Sequence, residues 1–184
     1  MNIYITVGLG GTGVVPGANA LKEKLIEIKG ADKVIIKPYG KGINWQPDRV
    51  GYPFRMFRET LNLILDNKPE ITDVIVTGPG VVKNLQVMLD NMLEHNITVY
   101  YFKQKDQTQQ LEKIKAVLEN MTTYQATEET DKDTFRDAYY AFADEMQSKM
   151  QDYYSNVDEW VEYGGFDNDL NPVAGTSDFL VARG

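Results

Sequence analysis

Residues 7–25, "VGLGGTGVVPGANALKEKL", come directly after the apolar run "NIYIT" at residues 2–6. The β-branched run predicts a buried strand over residues 3–7, and apolar residues at helical spacing predict a helix over residues 17–29. Five glycines lie between position 8 and position 17. Because glycine allows positive φ and close approach to the backbone, either a ligand comes near this turn or the turn is simply tight.

Strands and helices are predicted to alternate along the rest of the first 121 residues. The further strands are predicted at 33–39, 73–78 and 97–102, and the further helices at 53–67, 79–96 and 107–121. Each strand is a short, continuous apolar run, which is typical of a parallel sheet covered on both faces. We therefore predict an α/β domain over residues 1–121, with a Rossmann-like parallel sheet of four or five strands flanked by helices.

A long apolar stripe follows a polar segment, residues 122–130, that is predicted to be a linker. The stripe consists of Phe135, Tyr139, Phe142, Met146, Met150, Tyr153, Val157 and Trp160. Its spacing averages near the helical period and predicts one long amphipathic helix over residues 131–163. Gly164 and Gly165 are predicted to end that helix, and residues 164–184 to form an irregular tail.

The predicted long helix would extend beyond the α/β domain. It would measure roughly 50 Å at the helical rise of ~1.5 Å per residue, against ~30–40 Å for the domain. An apolar stripe of this size needs a partner surface. We expect a second copy of the chain to supply it through residues 131–163, and packing of the helix on its own sheet is the alternative.

The charge of the chain excludes some partners. The formal net charge is -8, and residues 125–184 contain 4 Lys and Arg against 14 Asp and Glu. Such an acidic segment argues against nucleic acid as a partner. With one histidine and no cysteine, no metal site is predicted. The lack of cysteine, of a signal-peptide pattern and of a long apolar run favours a cytoplasmic protein that does not bind membranes.

The candidate site is the edge of the sheet where the parallel strands end, because ligands of such sheets bind there. Gly8, Gly10 and Gly13 match G-x-G-x-x-G between a strand and a helix, a setting that favours phosphate. The acidic residue of a dinucleotide site is missing at the end of the second strand. We therefore predict a nucleotide-like or other phosphate-bearing small molecule and no bound cofactor, with a purely structural turn as the alternative.

Three loops, residues 8–16, 38–52 and 77–84, supply the candidate residues. Their glycines permit close approach, their aromatic rings can stack on a base, and their cations and amides can bind phosphate. The predicted ligand-binding residues are Gly8, Gly10, Gly11, Thr12, Gly13, Tyr39, Lys41, Trp45, Arg49, Arg55, Thr77, Gly78, Gly80, Lys83 and Asn84. If there is catalysis, Asp48 or Glu59 would supply the carboxylate; otherwise both are solvated or paired with arginine.

The order strand, glycine turn and helix, found twice before a short fourth strand, resembles the nucleoside deoxyribosyltransferases and their nucleotide-sensing relatives over residues 1–105. The resemblance implies a Rossmann-like fold and a nucleotide ligand. Those enzymes carry a nucleophilic Glu on the helix before a late strand, but here that helix reads "VVKNLQVMLDNMLEHN" and Glu94 comes only at its end. Three functions stay open: nucleotide binding, cleavage or transfer at an N-glycosidic or phosphoester bond, and protein–protein interaction with structural glycines.

Overall fold

The computed structural model describes residues 1–9, 12–39, 54–78, 80–106, 108–109, 112, 116 and 144–184. The first part of the chain alternates strands with helices: β1 Asn2–Val7, α1 Val14–Lys29, β2 Val34–Pro38, α2 Phe54–Asn67, β3 Asp73–Thr77, α3 Val81–Asn91 and β4 Asn96–Gln104. The predicted order of these seven elements is confirmed, although α3 ends earlier than the predicted residue 96. Most of the helix predicted over residues 107–121 lies outside the described residues, as does the linker at 122–130.

The C-terminal part differs from the prediction. Residues 144–154 are helical and form α4, and three strands follow it: β5 Val161–Phe166, β6 Pro172–Ala174 and β7 Phe179–Arg183. The helix predicted over residues 131–163 is therefore wrong beyond residue 154, and its first part, residues 131–143, lies outside the described residues. The irregular tail predicted over residues 164–184 is also wrong.

Two glycines explain part of this difference. Gly164 and Gly165 are predicted to end a helix, but they lie inside β5 where its pairing with β6 shifts register. A Cβ atom on Gly164 would lie 2.6 Å from the carbonyl oxygen of Ala174, so the close approach of these two strands requires glycine. Val157 and Trp160 continue the helical spacing in sequence, yet neither residue is helical.

In the part of the chain that the structure describes, seven strands form one mixed sheet in the order β2-β3-β1-β4-β7-β5-β6. The first four strands in this order pair in parallel, whereas β7 pairs antiparallel with β4 and with β5, and β5 pairs antiparallel with β6. The predicted parallel sheet of four or five strands is thus correct for the four-stranded part only. Its helices cover both faces, as expected of apolar parallel strands.

Alternate residues of the central strands enter two separate apolar cores. On one face, Tyr4 and Ile75 pack with Leu21 of α1. On the other face, Ile5 and Val76 pack in the cluster that contains buried residues of α2, α3 and α4. The helix after β1 and the helix after β3 therefore lie on opposite faces of the sheet. Within the described part of the chain, no helix has both the length and the apolar composition needed to cross a bilayer.

The stripe on α4 packs on its own sheet. Met146 and Met150 are buried in the same apolar cluster as α2 and α3, with Met150 fully inaccessible to solvent. For the described part of the stripe, the structure thus agrees with the alternative rather than with the expected packing on a second copy. These residues give no support to the predicted homo-oligomer.

A buried carboxylate lies where β3 begins, at the end of the strands opposite the candidate site. Asp73 Oδ1 accepts hydrogen bonds from Lys29 Nζ at 2.6 Å, Tyr4 Oη at 3.0 Å and Asn2 Nδ2 at 3.1 Å, and Oδ2 accepts one from Thr72. Burial opposes ionisation of this group, but the four hydrogen bonds together outweigh it and lower the pKa of the Asp73 carboxyl. The four donors fix the starts of β1 and β3 to the end of α1.

Candidate functional site

The candidate site is the region beyond the carboxyl ends of β1 and β3. These strands are neighbours in the sheet, and the connections that follow them lead to helices on opposite faces. Such a topological switch point is where open α/β sheets bind ligands. The two glycine turns that the sequence places after the first and third strands therefore follow neighbouring strand ends on the same side of the sheet.

Two threonines lie near the carboxyl ends of β1 and β3. Thr6 Oγ1 donates a hydrogen bond of 2.8 Å to Thr77 Oγ1, and both side chains are buried. Thr77 was among the predicted ligand-binding residues, whereas Thr6 was not, because it lies within a strand that reads simply as apolar. The pair joins β1 to β3 through side chains near the ends of both strands.

The turn after β1 is closed by the protein's own atoms at Gly8. A Cβ atom on Gly8 would lie 2.6 Å from Thr12 Oγ1 and 2.7 Å from the carbonyl oxygen of Phe102. Thr12 is buried, and its hydroxyl donates to the carbonyl oxygen of Leu9 at 2.5 Å. Gly8 and Thr12 are thus explained by packing within the chain, while Gly10 and Gly11 lie outside the described residues.

Gly13 precedes α1 with a positive φ of 83°. A Cβ atom there would lie 2.6 Å from Cδ2 of Phe179, a residue of β7. Both the conformation and the contact require glycine at this position. The group that comes close to the backbone here is an aromatic ring of the last strand, a contact that no local sequence pattern predicts.

The turn after β3 packs on Tyr39. This residue is fully buried, and its ring stacks on Phe57 of α2 with a centroid distance of 4.4 Å. Its carbonyl oxygen accepts a hydrogen bond of 3.0 Å from the amide of Gly80, and it would lie 2.5 Å from a Cβ atom on Gly78, which has a positive φ of 136°. Tyr39 therefore belongs to the core, and the prediction that its ring stacks on a ligand is not supported by its position.

The first turn of α3 carries the other two predicted residues of this loop. Asn84 Nδ2 donates a hydrogen bond of 2.8 Å to the carbonyl oxygen of Gly80, so its amide group holds the turn. Lys83 is exposed, and it forms no ion pair with any residue in the described part of the chain. Lys83 is therefore available to an anion at the start of a helix, where the helix dipole adds to its charge.

Arg55 and Glu59 form an ion pair of 2.9 Å on the exposed side of α2, with side chains 86% and 60% accessible. This agrees with the expectation that a carboxylate in this region is paired with arginine, and it gives no support to a catalytic role for Glu59. Asp48, the other candidate carboxylate, lies outside the described residues, as do the predicted ligand-binding residues Lys41, Trp45 and Arg49.

Side chains from the C-terminal part of the chain pack against the end of β4. Tyr154 Oη donates a hydrogen bond of 2.5 Å to the carbonyl oxygen of Phe102, near the end of β4. The ring of Trp160 meets the ring of Tyr154 edge-on at 5.2 Å, and Lys103 Nζ lies 4.0 Å from the centroid of Trp160. Sequence reasoning did not include these residues in the site. Lys103 could have been included from the sequence, because it directly follows the predicted fourth strand.

The acids and the histidine described away from this edge do not form a metal site. In the ranges that the structure describes, no group of three or more His, Asp or Glu residues could hold an ion. Glu94 pairs with Arg58 at 2.8 Å, and burial lowers the pKa of the neighbouring His95. Both residues precede β4 and lie at the edge of the sheet opposite the glycine turns.

The candidate site thus combines two glycine turns at a switch point with an exposed lysine on α3 and a half-buried lysine on β4. Comparisons of the chain with protein-family models, with curated proteins and with solved structures found no match.

Proposed function

We propose that this chain binds a nucleotide or nucleotide-derived small molecule at the switch point between β1 and β3. The observation that carries the proposal is the adjacency of the two glycine turns, on parallel neighbours whose helices lie on opposite faces. Open α/β sheets receive ligands at such switch points because the diverging connections leave room between them. The predicted resemblance to nucleotide-binding enzymes favours the same class of ligand.

The chemistry of the edge favours an anionic group on that ligand. Lys83 is exposed on the first turn of α3, and the partial positive charge of a helix N-terminus favours phosphate at the same position. The glycines described in the two turns are already required by packing within the protein. Gly10 and Gly11 are therefore the positions where we expect a ligand to approach the backbone.

The proposal is tested by calorimetry with the four nucleoside 5′-monophosphates and the matching nucleosides. Lys83→Ala should weaken binding of a monophosphate by about 1.5–3 kcal/mol, the contribution of a charged hydrogen bond, and leave nucleoside binding little changed. Lys68→Ala is the matched control, since Lys68 is also exposed but precedes β3 at the opposite edge. If the parent protein binds none of these compounds, the proposal is wrong.

A protein-interaction module with structural glycines is the second candidate. It is favoured by one specific observation: a Cβ atom on Gly8, Gly13, Gly78 or Gly80 would meet side-chain or backbone atoms of the chain itself. Under this alternative, the parent protein binds none of the nucleotide probes, and Gly10→Val therefore leaves nucleotide binding unchanged. Gly10→Val abolishes monophosphate binding if the ligand approaches the backbone at this turn.

A further inference from the structure

Lys103 is a half-buried cation without a carboxylate partner in the described part of the chain. Its ammonium lies 4.0 Å from the ring centroid of Trp160 and 5.6 Å from that of Tyr154. Lys105, two residues further along, pairs with Glu162, and Lys29 pairs with Asp73. In a chain with a formal net charge of -8, a lysine whose ammonium lies beside aromatic rings, and beside no acid among the described residues, needs an explanation.

The backbone places Lys103 at the same edge as the glycine turn after β1. In the pairing of β1 with β4, Val7 lies opposite Tyr101, so Lys103 extends past the last paired residue of β1. The carbonyl oxygen of Phe102, the residue before Lys103, would lie 2.7 Å from a Cβ atom on Gly8. The peptide that leads into Lys103 therefore contacts the first glycine of the turn.

The aromatic rings hold the ammonium in place without neutralising it. Tyr154 is anchored by its hydrogen bond to the Phe102 carbonyl, and Trp160 packs edge-on against Tyr154. Cation–π contacts stabilise an ammonium and leave its full charge available. Burial lowers the pKa of the Lys103 ammonium, because desolvation disfavours its charged form. A bound anion would offset that cost.

We propose that Lys103 is an anion-binding residue of the switch-point site and that Tyr154 and Trp160 position its ammonium for the phosphate group of the ligand. The inference rests on the proposed function and deepens it, since it makes the phosphate a required part of the ligand. It also gives the C-terminal segment a role in binding: α4 and the residues that follow it supply the rings that hold Lys103.

The test compares Lys103→Gln with the matched control Lys105→Gln in the full chain. The probes are inorganic phosphate, pyrophosphate and the four nucleoside 5′-monophosphates, measured by calorimetry. We expect Lys103→Gln to weaken binding of the phosphate-bearing probes at least tenfold and Lys105→Gln to change it less than twofold, because Lys105 is already paired with Glu162. Lys103→Arg, which keeps the charge, should retain most of the affinity.

A second measurement needs no variant and so does not depend on the folding of Lys103→Gln. Lysines of the parent protein are acetylated with and without saturating pyrophosphate or monophosphate, and the extent at each lysine is read by peptide mass spectrometry. We expect the ligand to protect Lys103 and not Lys105. If the parent binds the probes, Lys103→Gln binds them with unchanged affinity and the ligand does not protect Lys103, this inference is overturned. The proposed function still stands in that case. A parent protein that binds no probe overturns both.

Discussion

The hydroxyl of Tyr153 donates a hydrogen bond of 3.1 Å to the carbonyl oxygen of Val82. Tyr153 lies near the end of α4, and Val82 is the second residue of α3. The bond therefore ties the C-terminal helix to the helix that begins at the switch point. Burial raises the pKa of the Tyr153 phenol, so the hydroxyl keeps its proton and remains a donor at neutral pH.

Removing this hydroxyl should loosen α4 without unfolding the chain. We expect Tyr153→Phe to lower the free energy of unfolding by about 0.5–1.5 kcal/mol, the usual net contribution of one hydrogen bond. Tyr163→Phe is the control, because the Tyr163 hydroxyl makes no hydrogen bond to another described residue. Urea unfolding followed by circular dichroism measures both variants, and an equal loss in the two would show that the bond to Val82 contributes nothing.

The burial of α4 on its own sheet predicts a large cost for truncating its apolar stripe. Met150 is fully buried, whereas Met56 on α2 is 49% exposed. Met150→Ala should lower the free energy of unfolding by about 2–5 kcal/mol through a core cavity, and Met56→Ala should cost much less. The loss at Met150 should be independent of protein concentration. A stability that rises with concentration in the parent and not in Met150→Ala would point back to packing between copies.

Comparing alanine substitutions at Gly13 and Gly165 separates the cost of backbone strain from the cost of steric contact. Both have positive φ, 83° and 106°, but only Gly13 faces a ring, since nothing lies within 4 Å of a Cβ atom on Gly165. Alanine at either position is strained by about 1–3 kcal/mol. Gly13→Ala must also displace Phe179, so we expect it to be the more destabilising of the two in thermal unfolding.

The contact between Gly13 and Phe179 is tested directly by a double-mutant cycle. Phe179→Ala removes the ring, so Gly13→Ala should cost less in that background than in the parent. The remaining cost should approach that of Gly165→Ala. Equal costs in the two backgrounds would mean that the ring is not what requires glycine at position 13.

The Asp73 carboxylate predicts loss of stability in acid. Its pKa is lowered in the folded state, so its contribution is complete above the ordinary value of 3.8 and is lost as the pH falls through the lower folded value. We expect Asp73→Asn to lower the free energy of unfolding by about 1.5–3 kcal/mol at neutral pH and by progressively less below pH ~4. Asp158→Asn, at an exposed position, is the control. Parallel pH profiles for the parent and Asp73→Asn would contradict this prediction.

The parallel half of the fold could be predicted because its signals are local. The runs that became β1 to β4 are continuous and apolar, and glycine or proline lies at the boundaries of the helices between them. The C-terminal strands lack such a signal: β5 carries two glycines and a glutamate, and β6 has three residues. They form because β7 pairs with the free edge of β4, a non-local contact that no short window of sequence contains.

The same limit applies to the candidate site. The position of the two glycine turns was predictable, because parallel strands end at one edge. The groups that fill the space beside the glycines were not predictable. The ring against Gly13 comes from β7, and the ring against Gly80 comes from the residue that follows β2. A buried aromatic such as Tyr39 and a ligand-stacking aromatic look the same in a sequence, and only their exposure separates them.

The place of β7 in the sheet has a consequence for the newly made chain. The strands of the parallel part are all present once Gln104 has been synthesised, but among the described residues the strand that pairs with the outer edge of β4 is Phe179–Arg183. At about 5–20 residues per second, the ribosome needs about 4–15 s to make the segment in between. During that interval β4 presents unpaired N–H and C=O groups, a template for pairing with other chains. Solubility during translation should therefore depend on how fast the last strand arrives, and slow codons between β4 and β7 should increase aggregation without changing the stability of the finished protein.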